Sequence, residues 1–132
     1  MTPLSLANSV INFEDGLPGF ESVRRFVLVA SPALEPFALV QSADDAEPSF
    51  LAIEPRLIDP AYASPLADSD LIRLGADPKT PLLWLVLITM RTDGSATVNL
   101  KAPLVINPDT MRGLQLVAPD SPYPIDQLLP PV

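Results

Sequence analysis

Apolar residues in this chain come in short runs separated by prolines, and the runs have the lengths of β-strands rather than helices. Strands are predicted at Ser9 to Phe13, Arg25 to Ala30, Phe37 to Ser42 and Phe50 to Ile53. Further strands are predicted at Leu82 to Arg91, Ala96 to Lys101, Leu104 to Ile106 and Leu114 to Ala118. The Leu82 run is apolar on both faces, so each face needs a cover. Between it and the alternating Ala96 run lies Asp93-Gly94, a dipeptide suited to a two-residue type I′ turn. That turn would set Thr89 opposite Val98 and Leu87 opposite Leu100 on an inward face. Met90 with Thr97, Ile88 with Asn99 and Val86 with Lys101 would occupy the other face.

One helix fits between Pro65 and Gly75. Ser64-Pro65 offers an N-cap and first position, Asp68 or Ser69 offers a later start, and Gly75 suits the C-terminal stop. Leu71 and Leu74 would face the core. Beyond Pro119 the prolines at 122, 124, 130 and 131 predict an extended tail free to fray. No internal repeat or domain boundary interrupts the chain, so residues 1–132 read as one domain with a proline-rich tail from about residue 120.

Composition sharpens this picture. Seventeen prolines among 132 residues suit strands and corners and leave little room for helices. Apolar residues make up 48% of the chain, enough for a core, but aromatics only 6%, so Leu, Val, Ile and Ala must fill it. The net charge of −8 disfavours phosphate backbones and anionic membranes and favours a basic partner; it also serves plain solubility. Without Cys or His, disulfides, thiol chemistry, a Ser-His-Asp triad and His/Cys zinc sites are excluded. No basic segment with an apolar stretch follows Met1, and the run Leu82 to Ile88 is far short of a membrane span, so the cytoplasm is expected.

The densest acidic cluster is Asp44-Asp45 with Glu47, in a polar stretch that reads as a solvated loop. It lacks the glycine and closing Glu of a calcium loop, and nothing sets two carboxylates across a groove as glycoside hydrolysis needs. A small carboxylate-dependent hydrolase is the enzymatic alternative. It requires such a pair in a cleft. No phosphate-binding glycine loop occurs, and Arg24-Arg25 is the only basic pair. No cofactor and no metal are expected.

Two motifs are more specific. In Phe13-Glu14-Asp15-Gly16-Leu17-Pro18-Gly19-Phe20, two glycines bracket a proline, so Leu17 and Phe20 sit on a stiffened loop. They either plug the core or border a binding surface. In Asn99-Leu100-Lys101-Ala102-Pro103-Leu104-Val105-Ile106-Asn107-Pro108, Pro103 breaks a ladder and Asn107 seeds a turn.

These motifs, with PFALVQS at 36–42, FLAIEP at 50–55, LLWLVLITM at 82–90, NLKAPLVINPDTMRGLQLV at 99–117 and DSPYP at 120–124, resemble the flagellar assembly factor FliW family over nearly the whole chain. The segment before Val10, Asp59 to Leu66 and the region after Pro124 depart from the pattern. The resemblance implies an all-β fold, a small antiparallel β-barrel-like domain with one short helix, and it favours the later helix start. It further implies a non-catalytic cytoplasmic protein. Such a protein binds flagellin, and it binds and antagonises the RNA-binding translational regulator CsrA. A flagellin secretion chaperone without regulatory role is the nearer alternative. No contact residue carries over from the family; Leu17, Phe20, Asp44, Asp45 and Glu47 are the partner-binding candidates on exposure and charge.

Overall fold

The fold is that of a computed structural model, which describes residues 9–17, 20–45, 48–117 and 121–129. Nine strands form: β1 (Val10–Phe13), β2 (Arg25–Val29), β3 (Phe37–Ser42), β4 (Ser49–Ile53), β5 (Leu83–Met90), β6 (Ala96–Val98), β7 (Leu104–Asn107), β8 (Arg112–Gln115) and β9 (Gln127–Leu128). A 3-10 turn at Pro55–Leu57 and one helix, α1 (Asp68–Leu74), complete the set. Seven strands run β4-β3-β2-β1-β8-β7-β5, and β4 pairs with β5 to close them into a barrel. The pairings are antiparallel except β1 with β8, where Asn12 lies beside Arg112 and Phe13 beside Gly113 in parallel. The expected all-β barrel with one short helix is therefore the fold, with one parallel seam.

Alternation along the strands fills the interior. Ile11, Phe13, Phe26, Leu28, Ala38, Val40, Ala52, Leu85, Leu104 and Ile106 form one buried cluster, with Leu17 plugging it from the loop after β1. Phe13 and Phe26 meet edge to face at 5.6 Å. The interior is thus packed with side chains, as a small barrel must be.

The outer faces explain why β5 is apolar on both sides. Under α1, Leu74 packs with Val105, Leu114 and Leu116, and Trp84 borders them. On another side Val86 joins Ile53, Tyr62, Val98 and Leu100, with Tyr123 and Leu129 against them. Burial pushes the Tyr62 hydroxyl up to about 12, reinforced by neighbouring Tyr123. That hydroxyl donates to the Leu100 carbonyl at 2.8 Å.

Three expectations need correction. The β5–β6 turn is longer than two residues. The Gly94 N–H donates to the Arg91 carbonyl (3.0 Å), the Arg91 N–H to Ser95 (2.8 Å), and Gly94 has φ +88. This is a three-residue loop ending in a left-handed glycine. Pairing therefore slips by one, to Ile88 with Val98, Thr89 with Thr97 and Met90 with Ala96, which turns β6 over: Val98 joins Val86 and Ile88, while Leu87 keeps to the interior as expected. Second, β8 begins at Arg112 rather than Leu114. Met111 takes φ 57 and its N–H donates to the Asn107 carbonyl at 2.8 Å, so the turn closes early. Third, residues 121–129 are fastened to the barrel. Tyr123 stacks on Tyr62 at 4.5 Å, Leu100 N–H donates to the Pro124 carbonyl at 3.1 Å, and β9 pairs with β6.

The helix takes the later start. Ala67 is the N-cap residue, its N–H donates to the Asp70 carboxylate at 3.1 Å, and Gly75 stops the helix at φ +66. Leu74 is buried as expected, while Leu71 is half-buried. Asn107 fastens the helix end. Its side-chain N–H groups donate to the carbonyls of Leu74 (2.9 Å) and Gly75 (3.3 Å), its oxygen accepts from Asp109 N–H (3.0 Å), and the Thr110 hydroxyl also donates to Leu74 (2.8 Å).

Candidate protein-binding surface

The loop after β1 and the β3–β4 loop meet at one end of the barrel. Gly16 has φ +66, and a Cβ there would lie 2.7 Å from both Glu21 Cα and the Phe20 carbonyl oxygen. Only glycine allows that approach, and it turns the chain so that Leu17 enters the core. The Phe20 N–H donates to the Leu17 carbonyl at 2.8 Å. Phe20 stays 40% exposed and packs edge-on against Phe50 of β4 at 5.6 Å. Of the two loop candidates, Leu17 therefore serves the core and Phe20 the surface.

The acidic loop follows β3. Asp44 is exposed and accepts from Arg25 at 2.7 Å, so the first residue of β2 shares its charge. Asp45 is exposed, and its N–H donates to the Ser42 hydroxyl at 3.3 Å. Glu47 lies outside the described residues. Because β1 ends, β2 begins, β3 ends and β4 begins at this end, Phe20, Asp44 and Asp45 share it with Leu17.

The same end carries residues that sequence spacing does not connect. One depression of 410 Å³ is lined by Asn12, Glu14, Arg24, Arg73 and Arg112, together with Phe13 and Leu114. Arg73 of α1 pairs with Asp15 and lies 4.0 Å from Glu14, tying the loop after β1 to the helix. Beside it, a 350 Å³ depression is lined by Asp15, Gly16, Glu21, Gln115 and Val117. Val117 is 71% exposed. The arginines come from three elements, so only the closed barrel gathers them.

Among the described residues, no group of three or more His, Cys, Asp or Glu side chains is placed to hold a metal ion. On the β5–β6 loop, hydrogen bonds from the Ser95 hydroxyl and N–H hold the Asp93 carboxyl below its usual range. That is the opposite of the raised value a catalytic acid needs. Among the described residues, no helix is long and apolar enough to cross a membrane.

Residues 5–129 match the family model described as FliW protein. Two curated relatives are named flagellar assembly factor FliW. One, from Syntrophomonas wolfei subsp. wolfei, is 35% identical over 115 residues, covering 86% of this chain and 74% of the relative. The other, from Clostridium botulinum, is 34% identical over 120 residues, covering 90% and 85%. A crystal structure of the flagellar assembly factor FliW superimposes with a TM-score of 0.84 at 31% identity, covering 93% of this chain and 86% of that one.

Proposed function

This chain belongs to the FliW family of flagellar assembly factors, and from that premise we propose that it is a non-catalytic cytoplasmic regulator that binds flagellin and binds and antagonises CsrA. Acting on both would couple flagellin translation to flagellin export. The observation that carries the reading is electrostatic. A chain of net charge −8 displays Asp44 and Asp45 on an exposed loop beside the half-exposed Phe20. Such a field steers a basic, RNA-binding protein inward while repelling the RNA. The barrel interior is filled by a cluster of apolar side chains, which fits a protein that works through its surface.

A gel-shift titration tests this. Added to a CsrA–RNA complex, the protein lowers RNA occupancy; mixed with RNA alone, it causes no shift. A direct shift would overturn the proposal. Flagellin binding without any CsrA binding would leave the secretion-chaperone reading in its place.

The acidic loop supplies a finer test. Replacing Asp44, Asp45 and Glu47 by Asn, Asn and Gln weakens CsrA binding at low salt. Because Arg25 already shares the charge of Asp44, the loss is roughly fivefold, about that of two exposed ion pairs. Flagellin binding stays within about twofold. Calorimetry at two ionic strengths reads both. A loss undiminished by salt, or equal for both partners, would exclude electrostatic selection by this loop.

A further inference from the structure

The depression between β1, β8 and α1 has a charge balance opposite to that of the chain. Acidic residues outnumber basic ones 16 to 8 overall, yet its lining holds three arginines, Arg24, Arg73 and Arg112, against one acid, Glu14. Like charges gathered around one recess repel one another, and a bound anion would offset that repulsion. Arg73 is engaged by Asp15 and Glu14. Among the described residues, Arg24 and Arg112 form no ion pair, and the nearest acceptor for Arg112 is the Arg73 carbonyl at a long 3.5 Å. Two exposed arginines without an ion pair therefore line one recess, together with Phe13 and Leu114.

We propose that this recess is a carboxylate-binding site that receives an acidic side chain of a protein partner, held by Arg24 and Arg112 with Arg73 as a third, shared charge. The planar guanidinium fork matches a carboxylate with two parallel hydrogen bonds. A polyphosphate or nucleic-acid ligand fits less well. The −8 field repels polyanions, and Glu14 on the rim opposes a second negative charge. The site does not depend on which protein supplies the acid, so it stands apart from the assignment of flagellin and CsrA. It also gives this end of the barrel two signs of charge: the Asp44 loop for basic groups and the arginine recess for acidic ones. Partners would then be oriented as well as attracted.

Backbone and arginine Nε NMR spectra of the full chain test this, with an N-acetylated, C-amidated peptide of alternating Glu and Ala as the probe. The peptide should shift signals of residues 12–14 and 112–114 and the Nε groups of Arg24, Arg73 and Arg112. The shifts should shrink in high salt. The double change Arg24→Gln and Arg112→Gln should weaken binding roughly tenfold with the remaining spectrum intact. Arg91→Gln, which removes the same kind of charge from the Arg91–Asp126 pair, should leave binding within about twofold. Shifts centred on Lys79 and Lys101, or equal weakening by Arg91→Gln, would overturn the site. Inorganic phosphate binding there more tightly than the peptide at equal ionic strength would overturn the carboxylate assignment.

Discussion

Asn107 is the residue whose removal the structure prices most clearly. It is wholly buried, yet polar, because it holds the end of α1 to the β7–β8 turn. In Asn107→Ala the contacts to Leu74 and Gly75 and the contact from Asp109 vanish. Leu74 still accepts from Thr110, and the Asp109 N–H is at the surface where water can replace the lost partner. Two hydrogen bonds at about 1 kcal/mol each, plus a fraction of a kcal/mol for the longer bond to Gly75 and the space left behind, give a loss of about 2–3 kcal/mol. For a chain of this length that lowers Tm by about 7–10 °C. Asn107→Asp separates the donors from the acceptor. Its carboxylate keeps the bond from Asp109 but turns an oxygen toward the Leu74 carbonyl, where an N–H stood. Burial beside that carbonyl raises the folded-state pKa above about 3.9, the unfolded value. A raised carboxyl pKa means that the folded state holds its proton more tightly. The Asp variant is therefore most stable below about pH 4 and loses stability as pH rises through the folded pKa. At pH 7 it should be less stable than Asn107→Ala, and at pH 4 the two should converge. Urea unfolding read by Trp84, the single tryptophan and a neighbour of the cluster under α1, measures both. A Tm loss under about 2 °C for the Ala variant, or an Asp variant indifferent to pH, would refute this account of the clamp.

The glycines give a graded series in thermal melts. Gly94→Ala meets open space and costs only the strain of φ +88, about 1 kcal/mol. Gly113→Ala places a Cβ 2.6 Å from the buried Phe13 ring and costs about 1–3 kcal/mol. Gly16→Ala strikes backbone at 2.7 Å as well as demanding φ +66, and should be the worst of the three; equal losses would contradict the packing described. Tyr62→Phe should cost about 1–2 kcal/mol by stranding the Leu100 carbonyl. In the unaltered protein, the Tyr62 contribution is fully present below pH 10 and is lost as pH rises toward about 12, since burial raises the folded pKa. Alkaline unfolding that begins no later in the wild type than in Tyr62→Phe would argue against this.

Most strands are legible in the sequence because burial on one or both faces writes itself as alternation or as a continuous apolar run. Phe37 to Ser42 has the same limits in sequence and structure. What local pattern misses is set by backbone conformation or by distant contacts. The β5–β6 register turns on one extra loop residue, and Asp-Gly serves a three-residue loop ending in a left-handed glycine as well as a two-residue turn. The start of β8 is concealed by Arg112-Gly113, which carries no apolar signal; pairing with β1 and β7 makes it strand. β9 is two residues between prolines, and it exists because β6 offers an edge and the Leu129 N–H reaches Ala96 at 2.9 Å.

The candidate binding end is less legible, for a reason the fold makes plain. The motifs that mark the family are occupied with internal work. Gly16 admits the loop that delivers Leu17, Gly113 lies against Phe13, Asn107 holds α1, and Tyr123 stacks on Tyr62. Side chains committed to the interior have little left to offer a partner. The side chains free to make contacts stand between or outside those duties: Phe20, Arg24, Asp45, Arg112 and Val117. Arg24 and Arg25 show how little adjacency says, since neighbours in sequence serve different loops. Arg25 engages Asp44, while Arg24 faces the recess shared with Arg73 and Arg112. Substitution at a position with such an internal duty, Gly16, Gly113 or Asn107, should therefore change stability and binding together, through the fold. Substitution at Arg24 or Phe20 should change binding while the melting temperature stays within about 2 °C. That separation, measured on the same preparations, distinguishes a residue that builds the surface from one that uses it.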